Sequence, residues 1–251
     1  MFIAIILTMF VMGMILGFVG AGGSGFIIAV LTVVFGVSIH TALGTSLAAM
    51  VFATISGALS HYREGNVKLS VGIVVGLSGA VGAFFGTKIA AHIATHELTI
   101  MTAVILFLSG IMLWVRMFVV KTESSHTKYT GKKSVGYWLA AGVIGLVTGV
   151  LSGTFGIGST PFIQIGLLTL LGMSVRQAAG TTMMIIIPIA LSGALSDLSA
   201  GVLDLRLLVE VVIGTMAGTY VGAKFTKRVP SVVLRASLMV LPFIAGTILL
   251  L

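Results

Sequence analysis

Long apolar runs separated by short polar gaps dominate the chain. In the first half they fall at roughly 1–19, 26–36, 38–60, 69–90 and 98–119. In the second half they fall at roughly 137–155, 162–171, 174–196, 207–224 and 232–251. A helix of about twenty apolar residues crosses a bilayer core of about 30 Å. The runs 26–36 and 162–171 are too short for that: at about 1.5 Å per residue, eleven residues reach about 16 Å. Each follows a glycine-rich break, Gly20-Ala21-Gly22-Gly23-Ser24-Gly25 or Gly156-Ile157-Gly158-Ser159-Thr160-Pro161. The pattern predicts an all-α polytopic membrane protein in which each break is followed by a half-helix.

The two sets of runs are copies. Displaced by 136 positions, the sequence matches itself without gaps, and 23 of the 76 aligned positions between 13–88 and 149–224 are identical. Gly17, Gly20, Gly22, Gly36, Gly82 and Gly86 fall on Gly153, Gly156, Gly158, Gly172, Gly218 and Gly222, and Ser56–Ser60 repeats as Ser192–Ser196. Residues 1–119 form an N-terminal repeat, 120–136 a basic cytoplasmic linker and 137–251 a C-terminal repeat. An even number of crossings per repeat makes the repeats parallel, and an odd number makes them inverted. With residues 120–133 inside, the odd arrangement puts twelve of the 14 Lys and Arg on the cytoplasmic face; the even one divides them eight to six. Cytoplasmic loops carry the excess of basic residues, so inverted-topology repeats with both termini outside are expected.

Composition narrows the class further. Charged residues make up 8% of the chain and hydrophobic residues 58%, with a mean hydropathy of +1.22. A soluble domain carries about 25% charged residues, so the lipid bilayer is the solvent of this one. The net charge of +8 does not indicate nucleic acid, because the basic residues sit in the gaps between apolar runs. The opening segment lacks the basic start of a signal peptide and recurs in mid-chain. With no cysteine, disulfides, thiolate metal sites and catalytic thiols are excluded. Gly72 and Gly76 could pack within one chain or between two, as in a homodimer.

Candidate chemistry gathers at the breaks. Glycine lets the backbone leave helical geometry and approach a ligand closely. Ser24, Ser159 and Thr160 suit helix N-caps, and Pro161 suits a first helical turn. A half-helix beginning near mid-membrane aims unpaired N–H groups and the positive end of its dipole there, where an anion can bind. Two such ends related by an in-plane pseudo-twofold would converge on one anion, so Gly22, Gly23, Ser24, Gly25, Gly158, Ser159, Thr160 and Pro161 are expected to bind substrate. The competing reading is plain helix packing, which suits Gly13, Gly17, Gly149 and Gly153. Thr45-Ser46 and Thr181-Thr182 recur about a third of the way into a long span. Their hydroxyls can bond back to their own helix or donate to an anion. His40 and Arg176 occupy equivalent positions one turn earlier; they suit snorkelling at the interface or a cationic entrance to an anion path.

Other chemistries fit less well. No Asp or Glu lies in the middle of a long span, with Asp197 and Glu210 near span ends, which argues against a cation substrate. Gln164, inside the second half-helix, has an apolar mate, Ile28, and breaks the symmetry. His92 and His96 have i, i+4 spacing but no third ligand, so no metal site is assigned. Methionines, including Met183 and Met184, read as filler. Gly22-Gly23-Ser24-Gly25 matches the GxSG pattern of rhomboid intramembrane proteases, with His40 as the partner base. A catalytic dyad should not be half-copied in a second repeat that carries Arg176 in place of the histidine. No catalytic residue and no cofactor is therefore assigned.

Gly17-Phe18-Val19-Gly20-Ala21-Gly22-Gly23-Ser24-Gly25 and Ala42-Leu43-Gly44-Thr45-Ser46-Leu47 resemble two signatures of the sulfite exporter TauE/SafE family of small prokaryotic transport proteins. Leu151–Gly158 and Ala179–Thr182 resemble their repeats. Pro161, where the first half has glycine, departs from an identical pair of breaks. The resemblance implies a multi-pass protein of the prokaryotic inner membrane that exports a small organic or inorganic sulfur oxyanion, such as sulfite, a sulfonate or sulfoacetate. Alternating access by rocking one repeat against the other is the expected mechanism. A passive anion channel, and behind it a cation or metal permease, are the alternatives.

Overall fold

The computed structural model describes residues 2–19, 24–118, 135–226 and 231–251. Gly20–Gly23 and the linker 119–134 lie outside the described residues. Ten helical elements follow in order: α1 (Phe2–Val19), α2 (Ser24–Ala29), α3 (Ile39–Arg63), α4 (Leu69–His92), α5 (Thr95–Phe118), α6 (Val135–Phe155), α7 (Thr160–Thr169), α8 (Val175–Ser199), α9 (Leu205–Thr226) and α10 (Ser231–Leu250). No strand occurs among the described residues. α2 winds on as a π-helical segment, Val30–Val34. Five helices among the described residues are long and apolar enough to cross a membrane: Ile39–Arg63, Leu69–His92, Thr95–Val115, Val135–Phe155 and Arg176–Ser199. The two expected half-helices are present as the short apolar helices Ser24–Val34 and Thr160–Thr169.

The duplication read from the sequence recurs in the turns and caps around the half-helices. After each half-helix the chain turns through a glycine with left-handed φ, Gly36 (64°) or Gly172 (60°). The turn is closed by Val37 N–H donating to Leu31 O, or by Met173 N–H donating to Leu167 O, both at 3.0 Å. Ser38 and Ser174 then cap α3 and α8 alike, their hydroxyls accepting from Thr41 N–H (3.2 Å) and Gln177 N–H (3.3 Å). At the far ends, Gly65 (71°) and Gly201 (70°) turn the chain back. Only glycine takes that backbone conformation without a steric penalty, which is why these positions survive in both copies.

Between the halves, helices pack in two ways. Repeat mates pack antiparallel. Along α3 and α8, Gly44 lies against Asp197, Leu47 against Gly193, Gly57 against Met183 and His61 against Gly180. Likewise Gly110 of α5 meets Phe243 of α10, while Gly246 meets Phe107 and Ala103. Other helices pack parallel and across the repeats. On α4 and α6, Gly145 meets Val75, Gly149 meets Gly79 and Gly153 meets Ala83, and Thr154 Oγ1 donates to Gly86 O at 3.1 Å. On α1 and α9, Gly214 meets Ile6 and Met9, and Gly218 meets Phe10 and Met14. These are backbone-to-backbone contacts. Small residues bring them about in a membrane, where burial of apolar side chains supplies little drive because lipid is equally apolar. The packing role expected for Gly13 and Gly149 is thus observed: Gly13 lies against Thr215. Gly72 and Gly76 face Met184 and Pro188 of α8 inside the same chain, so that face is not open to a second copy.

Candidate functional site

Ser24, at the start of α2, and the second break meet on one face of α3. Leu43, Ser46 and Met50 recur at i, i+3 and i+7, the spacing that lines one side of a helix. Gly156 lies over Leu43 and Gly158 over Met50. Between them, Ser46 Oγ donates to Ser24 O at the start of α2 (3.1 Å) and reaches Gly156 O of the second break at 3.5 Å. One hydroxyl from the first repeat therefore ties the beginnings of both half-helices together.

The second break is strongly bent. Gly156 (64°), Gly158 (65°) and Ser159 (47°) all have left-handed φ, and Ser159 is the one non-glycine residue among the described residues to do so. That conformation costs a residue with a Cβ about 1–2 kcal/mol. Ser159 stands at the N-cap of α7 as expected, but its side chain makes no capping bond, because the left-handed turn directs it away from the helix. Pro161 sits in the first turn, where its missing N–H is no loss. The N-terminus of α7 is therefore not capped by the Ser159 side chain.

The hydroxyls of Ser24, Thr45, Ser152, Thr160 and Thr182 are buried without a hydrogen-bond partner; Ser24 and Thr160 begin the half-helices, Thr45 adjoins Ser46 and Ser152 stands one turn before Gly156, whereas Thr182 lies towards the other end of α3, between the Gly57–Met183 and His61–Gly180 contacts. Such a group costs about 1–3 kcal/mol, more readily tolerated where a ligand supplies the partner. Ser152 was not anticipated from the sequence. Its repeat mate is Leu16, so a search for polar residues shared by both copies passes over it. Thr102 and Thr32, on α5 and the π-segment, carry unpartnered buried hydroxyls as well, and the mate of Thr102 is Leu238. Gly25 admits Leu106 of α5 against the first half-helix.

Other candidate residues stand elsewhere. Thr181 is fully buried, and its Oγ1 accepts from Lys68 N–H at 3.0 Å; it holds the α3–α4 loop onto α8. His40 Nε2 bonds to Ala90 O at 3.2 Å, near the first turn of α3. Arg176 is exposed in the first turn of α8, which the antiparallel packing puts at the opposite end of the pair. Gly22 and Gly23 lie outside the described residues. Among the charged groups, Arg206 pairs with Glu210 at 3.5 Å in the first turns of α9, and Lys88 lies over the Phe84 ring. Met183 and Met184 fill space against Gly57 and Gly72. His92 Nδ1 is bonded to Lys88 O, and no group of three metal-ligating side chains occurs among the described residues. The donors gathered at Ser46 are neutral, and the Asp197 carboxylate stands beside them against Gly44.

The sequence model of the family described as "Sulfite exporter TauE/SafE" matches residues 5–249. The chain is 51% identical to the probable membrane transporter protein YdhB of Bacillus subtilis, over 98% of this chain and 99% of that one. It is 26% identical to a probable membrane transporter protein of Xylella fastidiosa, over 86% and 81% of the two chains. A second Bacillus subtilis relative, the probable membrane transporter protein YjnA, is 24% identical over 91% of each chain. No solved structure matches. A match spanning nearly the whole chain, on a duplicated bundle of membrane-spanning helices, shows that the protein belongs to the sulfite exporter TauE/SafE family of membrane transporters.

Proposed function

We propose that the protein carries a small sulfur-containing oxyanion out of the cell by alternating access, binding it where the two glycine-rich breaks meet. The single observation that carries this reading is the position of Ser46, shared between Ser24 O and Gly156 O, with unpartnered buried hydroxyls on Ser24 itself, on the neighbouring Thr45 and on Ser152 and Thr160 either side of the second break. Ser24, Thr45, Ser46, Ser152 and Thr160 would donate O–H groups to the oxyanion, joined by backbone N–H groups of Gly25, Gly158, Ser159 and Thr160. Pro161 would shape the second half-helix without competing for the anion. Hydroxyls and amides suit the several oxygens of a sulfite or sulfonate. A metal cation would need a cluster of acceptor ligands; Asp197 lies against Gly44 beside this face, and no group of three metal-ligating side chains occurs among the described residues.

The repeats take inverted topology, supported by the antiparallel packing of α3 on α8 and α5 on α10 and by the bias of basic residues to one face. Both termini then lie outside. His40 and Arg176 stand at opposite entrances, where a cationic or titratable group attracts anions from either side. An inside-negative potential drives anions outward with about 2.3 kcal/mol per charge per 100 mV, so export needs no coupling carboxylate. Thermal shift of the purified protein with sulfite, sulfate, sulfoacetate, taurine, thiosulfate, chloride and acetate tests the reading, with nickel and copper as controls. Stabilisation by sulfur oxyanions, lost when Ser24→Ala is combined with Thr160→Val, is expected. An unchanged response in the double variant would rule out this site.

A further inference from the structure

The moving parts of a transporter are the groups of helices that cannot separate internally, and here those groups do not coincide with the repeats. α4 of the first repeat and α6 of the second run parallel in backbone contact through Gly79, Gly82, Gly86, Gly145, Gly149 and Gly153. α1 of the first repeat and α9 of the second do the same through Gly13, Gly214 and Gly218. The apolar cores follow these pairs. One core draws on α1, α2, α5, α9 and α10, with the last turns of α4 and α6 reaching into it. The other is made by α4, α6, α7 and α8. α3 runs along the seam, giving Ala42, Leu43 and Ala49 to the first core and Met50 to the second.

From this we infer that the transport cycle moves two bodies, each assembled from both repeats: one built on α1 and α9, the other on α4 and α6. Rocking one whole repeat against the other would tear both glycine seams along their length. Closely packed interiors do not deform continuously, and backbone-to-backbone seams have no flexible side chain to absorb a displacement. A division along α3 costs less, because it parts side chains. It also passes through the candidate site: Ser24, whose α2 packs in the first core, and Gly156, which leads into α7 of the second, are joined across it by the shared hydroxyl of Ser46. An anion bound there would contact both bodies and could bias their relative position. The inference deepens the carrier reading and rests on it.

The chain has no cysteine, so spin labels can be placed in pairs without background. Val81→Cys with Leu139→Cys spans two repeats within one body, and Ile3→Cys with Met216→Cys does the same in the other. Leu7→Cys with Val81→Cys lies within one repeat but across the bodies. All five side chains are exposed. Distances are read by pulsed dipolar spectroscopy in lipid nanodiscs, with and without sulfite. The expected result is narrow, unchanged distributions for the two cross-repeat pairs, and a broad or sulfite-shifted one for Leu7 with Val81. Movement within either cross-repeat pair while Leu7–Val81 stays fixed would overturn the inference, and so would three narrow, fixed distributions in every condition. A broad Leu7–Val81 distribution that no sulfur oxyanion alters, beside two narrow ones, would uphold the bodies and remove the anion reading.

Discussion

Substituting alanine for Gly149 should weaken the protein, whereas the same change at Gly142, two turns earlier on α6, should not. A methyl group on Gly149 would lie 2.7 Å from both the Cα and the carbonyl carbon of Gly79, with the carbonyl oxygen nearer still. Backbone cannot rotate away. Restoring an ordinary 3.4 Å contact to the two carbons alone requires α4 and α6 to part by about 0.7 Å, and clearing the oxygen requires more; a gap of that size already forfeits a quarter to a half of the dispersion energy of the atoms concerned. Overpacking of this kind costs about 1–3 kcal/mol. Against that stands the gain of about 0.5–1 kcal/mol from replacing glycine inside a helix. The net loss is about 1–2 kcal/mol, or several degrees in Tm for a chain of this size. Nothing lies within 4 Å of a methyl group on Gly142, so Gly142→Ala keeps the helix gain alone. Thermal unfolding of the two variants in one detergent checks this. Equal Tm values would refute the glycine seam as the contact holding α4 to α6.

Gly218→Ala, whose methyl would meet Met14 N at 2.8 Å on α1, should reproduce the Gly149→Ala loss, as the mirrored seam requires, in the same unfolding assay. Thr181→Val removes the acceptor of the partly buried Lys68 N–H and should cost about 0.5–1.5 kcal/mol while leaving the anion response unchanged; unfolding and anion thermal shift on one sample separate the two. Ser152→Ala removes a hydroxyl that has no partner, so it should leave unliganded stability the same or higher while weakening the anion response at least several-fold. Ser46→Ala should lower both stability and anion response, and Ser46→Thr, which matches its repeat mate Thr182, should retain most of each. Reporters fused at either terminus should read as outside the cytoplasm.

The helical elements were legible because membrane helices announce themselves by length and hydropathy, and the half-helices because eleven apolar residues cannot cross a bilayer. The repeat was legible from glycine spacing, since Gly36, Gly65, Gly172 and Gly201 each occupy a left-handed turn that other residues adopt at a cost. The site was legible only in part. Symmetry between copies pointed to Ser46, but it pointed equally to Thr181, whose hydroxyl is spent on the α3–α4 loop, and to Thr182, which lies towards the other end of α3. It also concealed Ser152, which has no polar mate. Capping rules favoured a hydrogen-bonding Ser159, whereas the left-handed run through the break turns that side chain away from α7. The pairing of α4 with α6 and of α1 with α9 was not legible. A small-residue stripe shows that a helix face will be approached closely, and says nothing about which helix approaches.

The central claim is that a sulfur oxyanion crosses the membrane through the seam where the breaks meet. Efflux of radiolabelled sulfite from proteoliposomes holding the purified protein, under an imposed inside-negative potential, tests it most directly. The predicted result is saturable efflux that other sulfur oxyanions compete away and that falls sharply in the Ser24→Ala, Thr160→Val double variant. Efflux no faster than from protein-free liposomes, or equal efflux in the double variant, would contradict it.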